Sequence, residues 1–245
     1  MLERPVIVIP AYQAALTLEG VFKRLPEALV PRLARIIVVD DGSRDQTWEV
    51  ISRLAKEWPI LRPLRHEVNR GYGGALKTLL EAALEENADG VVVLHADGQY
   101  APESLPDMLA PLDAGEADLV QGSRLLGGGA LEGGMPRYKY IANRALTWIE
   151  NRAFGLRLAE YHSGYMAYAR RFLEAVPWRE QSGSFDFDLE MIALARARGF
   201  RICEIPIPTH YGDEVSHLRS IPYGLRVLKV VARYLMGAYR QKRTG

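Results

Sequence analysis

Gly90-Val91-Val92-Val93-Leu94-His95-Ala96-Asp97-Gly98-Gln99 decides the fold class. Its first five residues form a short apolar run with no polar alternation, which marks a strand buried on both faces, as in a parallel sheet. At the exit, the Asp97 carboxylate and the Gln99 carboxamide are two residues apart and present oxygen donors to one hard cation. Mg²⁺ and Mn²⁺ take such donors and share them with substrate phosphates. The same residues also suit an ordinary strand exit with Asp97-Gly98 as its turn.

The alternation continues on both sides of this run. Val6-Ile7-Val8-Ile9, between Pro5 and Pro10, reads as a first strand, and a helical pattern from Ala14 to Ala28 follows it. Ala34 to Val39 is a second strand, after which a helix opens at Asp45-Gln46-Thr47-Trp48 with Ser43 or Asp45 as its cap. A third strand near Ile60–Arg65, a helix from Gly74 to Glu86 and a strand at Asp118–Gly122 extend the pattern. Short apolar runs alternating with helices predict an α/β fold, Rossmann-like, with a mostly parallel sheet flanked by helices. Beyond Ser123 the regularity fades into Gly127-Gly128-Gly129 and Gly133-Gly134, with later helices expected at Tyr138–Phe154 and Phe185–Arg198.

Ligands of open α/β sheets bind beyond the carboxyl ends of the strands. Here those exits are polar: Pro10-Ala11-Tyr12-Gln13, Asp40-Asp41-Gly42-Ser43, Asn69-Arg70-Gly71-Tyr72-Gly73-Gly74, the His95 stretch, and Gly122-Ser123-Arg124. Asp40 or Asp41 suits a base N–H or ribose hydroxyls. Gly71 and Gly73 leave room for a ligand to approach the backbone. Asp97 and Gln99 suit a cation against two phosphates, and Arg124 a further phosphate through a forked contact.

These residues resemble a known family. Pro10-Ala11-Tyr12, Val39-Asp40-Asp41-Gly42-Ser43-x-Asp45-x-Thr47 and Asn69-x-Gly71-x-Gly73-x-Ala75 are similar to the inverting family-two glycosyltransferases of the GT-A fold. Ala96-Asp97-Gly98-Gln99, Gly122-Ser123-Arg124 and Ser163-Gly164-Tyr165 resemble the dolichyl- or polyprenyl-phosphate sugar transferases within it. The resemblance spans Val6 to Tyr211 and implies a UDP- or GDP-sugar donor. It implies that Pro10, Tyr12, Asp40, Asp41, Gly71, Gly73, His95 and Ala96 meet the nucleotide-sugar. It further implies that Asp97 and Gln99 hold Mg²⁺ or Mn²⁺, and that Arg124 and Arg137 face an acceptor phosphate. Two positions depart from the pattern: Gln13 replaces the more usual Asn or Glu, and His95 stands where an Asp-x-Asp motif has its first carboxylate.

The composition of 245 residues, with 31 Lys and Arg against 30 Asp and Glu, gives a net charge of +1 and no basic field for nucleic acid. The single cysteine, Cys203, reads as a small hydrophobe in a reducing compartment. No secretory signal is evident after Met1, and no apolar run approaches the roughly 20 residues that cross a bilayer. The expectation is a cytoplasmic protein, soluble or peripheral on the inner face of the membrane, with a homodimer left open.

In the second half, Arg124, Arg137, Lys139, Arg144, His217 and Arg219 are the cations available to an acceptor phosphate. A phosphate monoester is already anionic, whereas a hydroxyl acceptor needs a general base. Phe185-Asp186-Phe187-Asp188-Leu189-Glu190 offers carboxylates for that role, with Asp188 the leading candidate. The same acids also suit a helix start complementing its dipole, and a helix would bring Asp186 and Glu190 together. His210–His217 reads as a loop over the substrates or a plain surface loop. Residues 1–220 form the expected catalytic unit, and 221–245 a basic amphipathic helix and tail. There Arg226, Lys229, Arg233 and Arg240 share one stripe opposite Val227, Leu228, Val231, Leu235 and Tyr239. Such a helix suits an anionic membrane surface, its own domain or a twin subunit. Transfer to a sugar or other hydroxyl, and a non-catalytic sugar-nucleotide-binding module, are the competing readings. A dinucleotide oxidoreductase fits poorly, because the first strand leads into Pro10-Ala11-Tyr12 rather than a glycine-rich phosphate loop.

Overall fold

The computed structural model describes residues 1–131, 133–208 and 220–240, with the backbone alone for Ser220 and Ile221. Strand β1 (Pro5–Ala11) and helix α1 (Leu18–Lys23) are followed by β2 (Arg35–Asp40), α2 (Thr47–Glu57), β3 (Leu61–Arg65), α3 (Tyr72–Glu85) and β4 (Gly90–Val93). Helix α4 (Leu105–Asp113), β5 (Leu119–Ser123), α5 (Arg137–Phe154), β6 (Met166–Ala169) and α6 (Arg170–Ala175) come next. Helix α7 (Phe187–Ala197), β7 (Ile202–Pro206) and α8 (Ser220–Leu235) complete the order.

The seven strands run β3-β2-β1-β4-β6-β5-β7. All neighbours are parallel except β6, which is antiparallel to both β4 and β5. The chain leaves β1 toward β2 and β3 on one side and returns to β4 on the other, so the topological switch lies between β1 and β4. The carboxyl ends of β1, β2, β4 and β5 therefore share one sheet edge with the amino end of β6.

Alternation along β1 explains the layers. Val6 and Val8 enter one core cluster with residues of α3, α7 and α8, whereas Ile7 and Ile9 enter the other with residues of α1, α2 and α4. All four are fully buried, and each such side chain contributes about 1.5–3 kcal/mol. Helix α5 stops at Gly155, whose φ of 64° is the left-handed cap that only glycine adopts at little cost.

Several elements differ from expectation. The helix expected over Ala14–Ala28 is confined to Leu18–Lys23, because the amides of Ala14 and Ala15 bond to Thr47 Oγ1 and Asp45 Oδ2. Helix α2 starts beyond Gln46 without a side-chain cap; Asp45 instead holds the Thr47 amide and hydroxyl. Helix α4 went unread because Pro106 and Pro111 mask it: the first sits in the opening turn, the second one turn from the end. Strands β6 (Met166-Ala167-Tyr168-Ala169) and β7 (Ile202-Cys203-Glu204-Ile205-Pro206) were not expected, because neither is a run of β-branched residues.

The C-terminal helix packs on its own domain. Val227, Val230, Val231 and Tyr239 are buried in the cluster of α3 and α7. Two members of its basic stripe are engaged there: Arg226 contacts Asp186 at 3.3 Å, and Arg233 bonds to Glu190. Asp186 and Glu190 thus lie together, as a helix start requires, and both anchor α8.

Candidate active site

The motif after β2 first ties two loops together. Ser43 Oγ accepts from the Gln13 amide at 2.9 Å, and Thr47 Oγ1 accepts from the Ala14 amide at 2.8 Å. These bonds hold Gln13 at a φ of 52° and leave Tyr12 partly exposed beside Pro10 at the β1 exit. Ser43, Asp45 and Thr47 therefore shape the rim, while Asp40 and Asp41 end the strand.

Both aspartates are buried. Asp40 Oδ1 accepts from the Ser43 amide at 2.9 Å, whereas Oδ2 is buried without a hydrogen bond and lies 3.5 Å from Arg65 Nε. A buried carboxylate oxygen without a donor costs about 1–3 kcal/mol, which suits a site completed by a ligand N–H or O–H. Asp41 Oδ1 accepts from the Arg70 amide at 2.9 Å and pairs with His66 Nδ1 at 2.7 Å. His66 in turn contacts Thr78 Oγ1 at 2.9 Å. Sequence reading missed His66; its only signal is its position directly after β3.

Gly71 and Gly73 require a correction. The room they leave is filled by the chain's own Ser182–Ser184 backbone rather than by open space for a ligand. A Cβ on Gly73 would lie 2.4 Å from Ser182 O, and one on Gly71 would lie 2.7 Å from Gly183 O. The close approach is backbone to backbone, with the Gly74 amide bonded to Gly183 O at 3.3 Å.

At the β4 exit, Gly98 takes a φ of 75° and Asp97 Oδ1 accepts from the Gln99 amide at 3.0 Å. Ala96 is buried. His95 does not stand beside Asp97 as a second ligand. Its ring packs against Gly164, where a Cβ would come within 2.8 Å, and Nε2 lies 3.2 Å from Tyr72 Oη. Burial lowers the His95 pKa, with Arg124 adding to the effect and Asp97 opposing it, so the imidazole is neutral at pH 7. Among the described residues no cluster of three His, Cys, Asp or Glu forms a ready-made cation cage. One carboxylate and one carboxamide still suit Mg²⁺ or Mn²⁺, which use one or two carboxylates together with substrate phosphates and water.

At the β5 exit, Arg124 is gripped by fully buried Glu160. Its amide donates to Oε2 at 2.9 Å, Nε donates to Oε1 at 3.1 Å, and Nη2 donates to Oε1 and to His162 O, the latter at 2.9 Å. Asn143 of α5 adds a 3.0 Å bond to the same Oε1. Burial alone would raise the Glu160 pKa, but Arg124 outweighs it and the carboxyl titrates below its usual range. This clamp was not legible, because Glu160 lies 36 residues from Arg124.

Asp188 is linked to His95 at the β4 exit through the Tyr72 hydroxyl. It is 6% exposed in the first turn of α7, and Oδ2 accepts from Tyr72 at 2.8 Å. Burial pushes its pKa up to about 7, against the lowering effect of the Tyr72 bond and the nearby Tyr168 hydroxyl. A raised carboxyl pKa means that the folded state binds the extra proton, so this stabilising contribution is lost as pH climbs from the unfolded value, near 4, through about 7. Asp188→Asn is expected to flatten that dependence. Thermal melts at pH 5 and pH 8 should show a smaller drop for the variant than for the wild type; equal drops would count against a protonated Asp188.

Arg137 opens α5 and is exposed, Lys139 is half-buried in the same turn, and the turn carries no acid. Tyr211, His217 and Arg219 lie outside the described residues. Tyr72, which joins His95 to Asp188, carries no signal in the sequence beyond its place between Gly71 and Gly73.

The model of glycosyl transferase family 2 matches residues 6–176. An undecaprenyl-phosphate mannosyltransferase of Micrococcus luteus is 32% identical over 83% of this chain and 82% of its own length. A UDP-N-acetylglucosamine–dolichyl-phosphate N-acetylglucosaminyltransferase of Methanococcus voltae is 28% identical over 94% of this chain and 96% of its own. Among solved structures, glucosyl-3-phosphoglycerate synthase of Mycobacterium tuberculosis, in complex with Mn²⁺, UDP and glucosyl-3-phosphoglycerate, matches with a TM-score of 0.69 at 21% identity. The match covers 98% of this chain and 82% of that one, a likeness that establishes the GT-A fold.

Proposed function

The chain belongs to glycosyl transferase family 2, and from that premise we propose that it moves a hexose from a UDP- or GDP-sugar to a polyprenyl phosphate, with inversion at the anomeric carbon. The observation that carries the acceptor is Arg124, a guanidinium fixed at the β5 exit by buried Glu160 and Asn143. The names of the relatives from Micrococcus luteus and Methanococcus voltae support the same acceptor class.

The chain's own groups divide the work. Asp40, with its unbonded Oδ2, and Asp41, oriented by His66 and the Arg70 amide, receive the base and ribose beside Pro10, Tyr12 and Ala96. Asp97 and Gln99 would hold Mg²⁺ or Mn²⁺, which supplies electrostatic stabilisation of the departing nucleoside diphosphate. Neutral His95 adds no charge of its own next to Asp97. Arg124, Arg137 and Lys139 attract the acceptor phosphate, and the acid-free first turn of α5 adds its own positive end. An acceptor phosphate oxygen is anionic before it attacks, so no proton has to be removed.

Transfer to a hydroxyl is less well supported. Its base would be Asp188, which is buried with its Oδ2 held by the Tyr72 hydroxyl. The catalytic unit is read as residues 1–220, and within 221–245 the residues Val227, Val230, Val231 and Tyr239 pack onto it. A donor-by-acceptor screen tests the reading, using Mg²⁺ or Mn²⁺ with a short polyprenyl phosphate, the matching polyprenol and a free sugar as acceptors. Product is expected with the phosphate alone; product with the polyprenol or sugar instead would overturn it.

A further inference from the structure

We propose that the outward faces of α5 and α8 together form a docking surface for an anionic lipid bilayer, an inference that rests on the lipid-phosphate acceptor above. The two helices lie side by side, with the Phe154 ring 4.6 Å from Tyr234, and both bury their inner faces in the same core cluster. Their opposite faces carry large apolar side chains in solvent. On α5, Ile141 is 66% and Trp148 67% exposed, and Tyr138 extends the stripe. On α8, Leu225, Leu228, Leu235 and Met236 do the same, with Met236 76% exposed. Leaving this much apolar surface in water on two adjacent helices marks an interaction site.

Charge identifies the occupant. The whole chain is nearly balanced, yet α5 carries Arg137, Lys139, Arg144 and Arg152 against one acid, Glu150, which is fully buried. Residues 220–240 contain no Asp or Glu at all. Arg226 and Arg233 are engaged with Asp186 and Glu190, and the other cations here, Lys229 in α8 and Arg240 beyond its end, are exposed. A two-fold dimer through this face would set one cationic patch against its own copy, with no acid in either helix face to compensate. An anionic bilayer compensates it at every position, and Trp and Leu flanked by Arg and Lys suit the headgroup boundary.

Through its inner side, helix α8 also adjoins the site. Tyr223 of α8 lies 3.0 Å from His162 Nδ1, and the His162 carbonyl accepts from Arg124. A lipid phosphate reaching Arg124 would leave its chain beside this pair of helices.

Flotation of the full chain with vesicles of phosphatidylglycerol and phosphatidylcholine, free of any prenyl phosphate, tests the surface. The wild type is expected to float with these vesicles and far less with phosphatidylcholine alone. Its tryptophan emission should shift to the blue, since the other three tryptophans are buried or half-buried. The double variant Ile141→Asp/Leu228→Asp should lose about tenfold in bound fraction, with its melting temperature and slow donor hydrolysis unchanged. Trp148→Ser should abolish the blue shift and provides a second, milder change. Absence of wild-type flotation, equal flotation of the double variant, or a dimer broken by these same substitutions would overturn the proposal. Flotation without prenyl-phosphate transfer would uphold the surface and reject the acceptor assignment alone.

Discussion

Replacing Asp97 with alanine is expected to abolish metal-dependent sugar transfer, with a loss of about 10²–10³-fold or more in kcat. The size follows from the isolation of this carboxylate. His95 occupies the position of a neighbouring acid, and its ring is turned against Gly164 and Tyr72. No other described group joins Asp97 in a cluster of three. Loss of the carboxylate therefore leaves Gln99 as the single assigned donor. The fold should survive, because Asp97 gives the structure one bond, from the Gln99 amide, worth about 0.5–1.5 kcal/mol. A melting temperature near that of the wild type, with transfer lost at saturating Mg²⁺ or Mn²⁺, is the expected pair of results. An unchanged rate would remove Asp97 from the mechanism.

Arg124→Ala should act on the acceptor side. Transfer to polyprenyl phosphate is expected to fall about 10²-fold, while slow hydrolysis of the donor, which needs no acceptor phosphate, changes little. The substitution also strands Glu160, a fully buried carboxylate left with Asn143, the Arg124 main-chain amide and the nearby His162. An unpaired buried charge is costly, so Arg124→Ala alone risks instability. Combining it with Glu160→Gln removes that charge, while the one amide oxygen accepts from either the Arg124 main chain or Asn143. The double variant should recover stability without recovering transfer. Equal losses in hydrolysis and transfer would contradict an acceptor-phosphate role for Arg124.

Much of this arrangement was legible in the chain, for identifiable reasons. Val6–Ile9 and Val91–Leu94 are continuous apolar runs because they are buried on both faces, and that pattern survives in a single sequence. The polar exits follow once the strands are placed, since parallel strands bring their ends to one edge. Other features depend on partners remote in sequence. Gly73 announces a need for space, but that Ser182 fills it is set more than 100 residues later. Asp41 reads as a ligand contact, yet one of its oxygens serves His66 and the Arg70 amide. The basic stripe of α8 suggested a free cationic face, whereas Arg226 and Arg233 are held by Asp186 and Glu190. Periodicity reports which side of a helix is polar; it does not report what that polarity meets.

The central claim is in-line transfer of a hexose to a lipid phosphate oxygen at the edge shared by β1, β2, β4 and β5. Its most direct test is the structure of the product made from an α-linked nucleotide-sugar and a short polyprenyl phosphate, read by phosphorus and proton magnetic resonance. The account predicts a phosphodiester between the sugar anomeric carbon and the lipid phosphate, in the β configuration. An α-linked product, or a sugar joined to a hydroxyl rather than to phosphate, would contradict it.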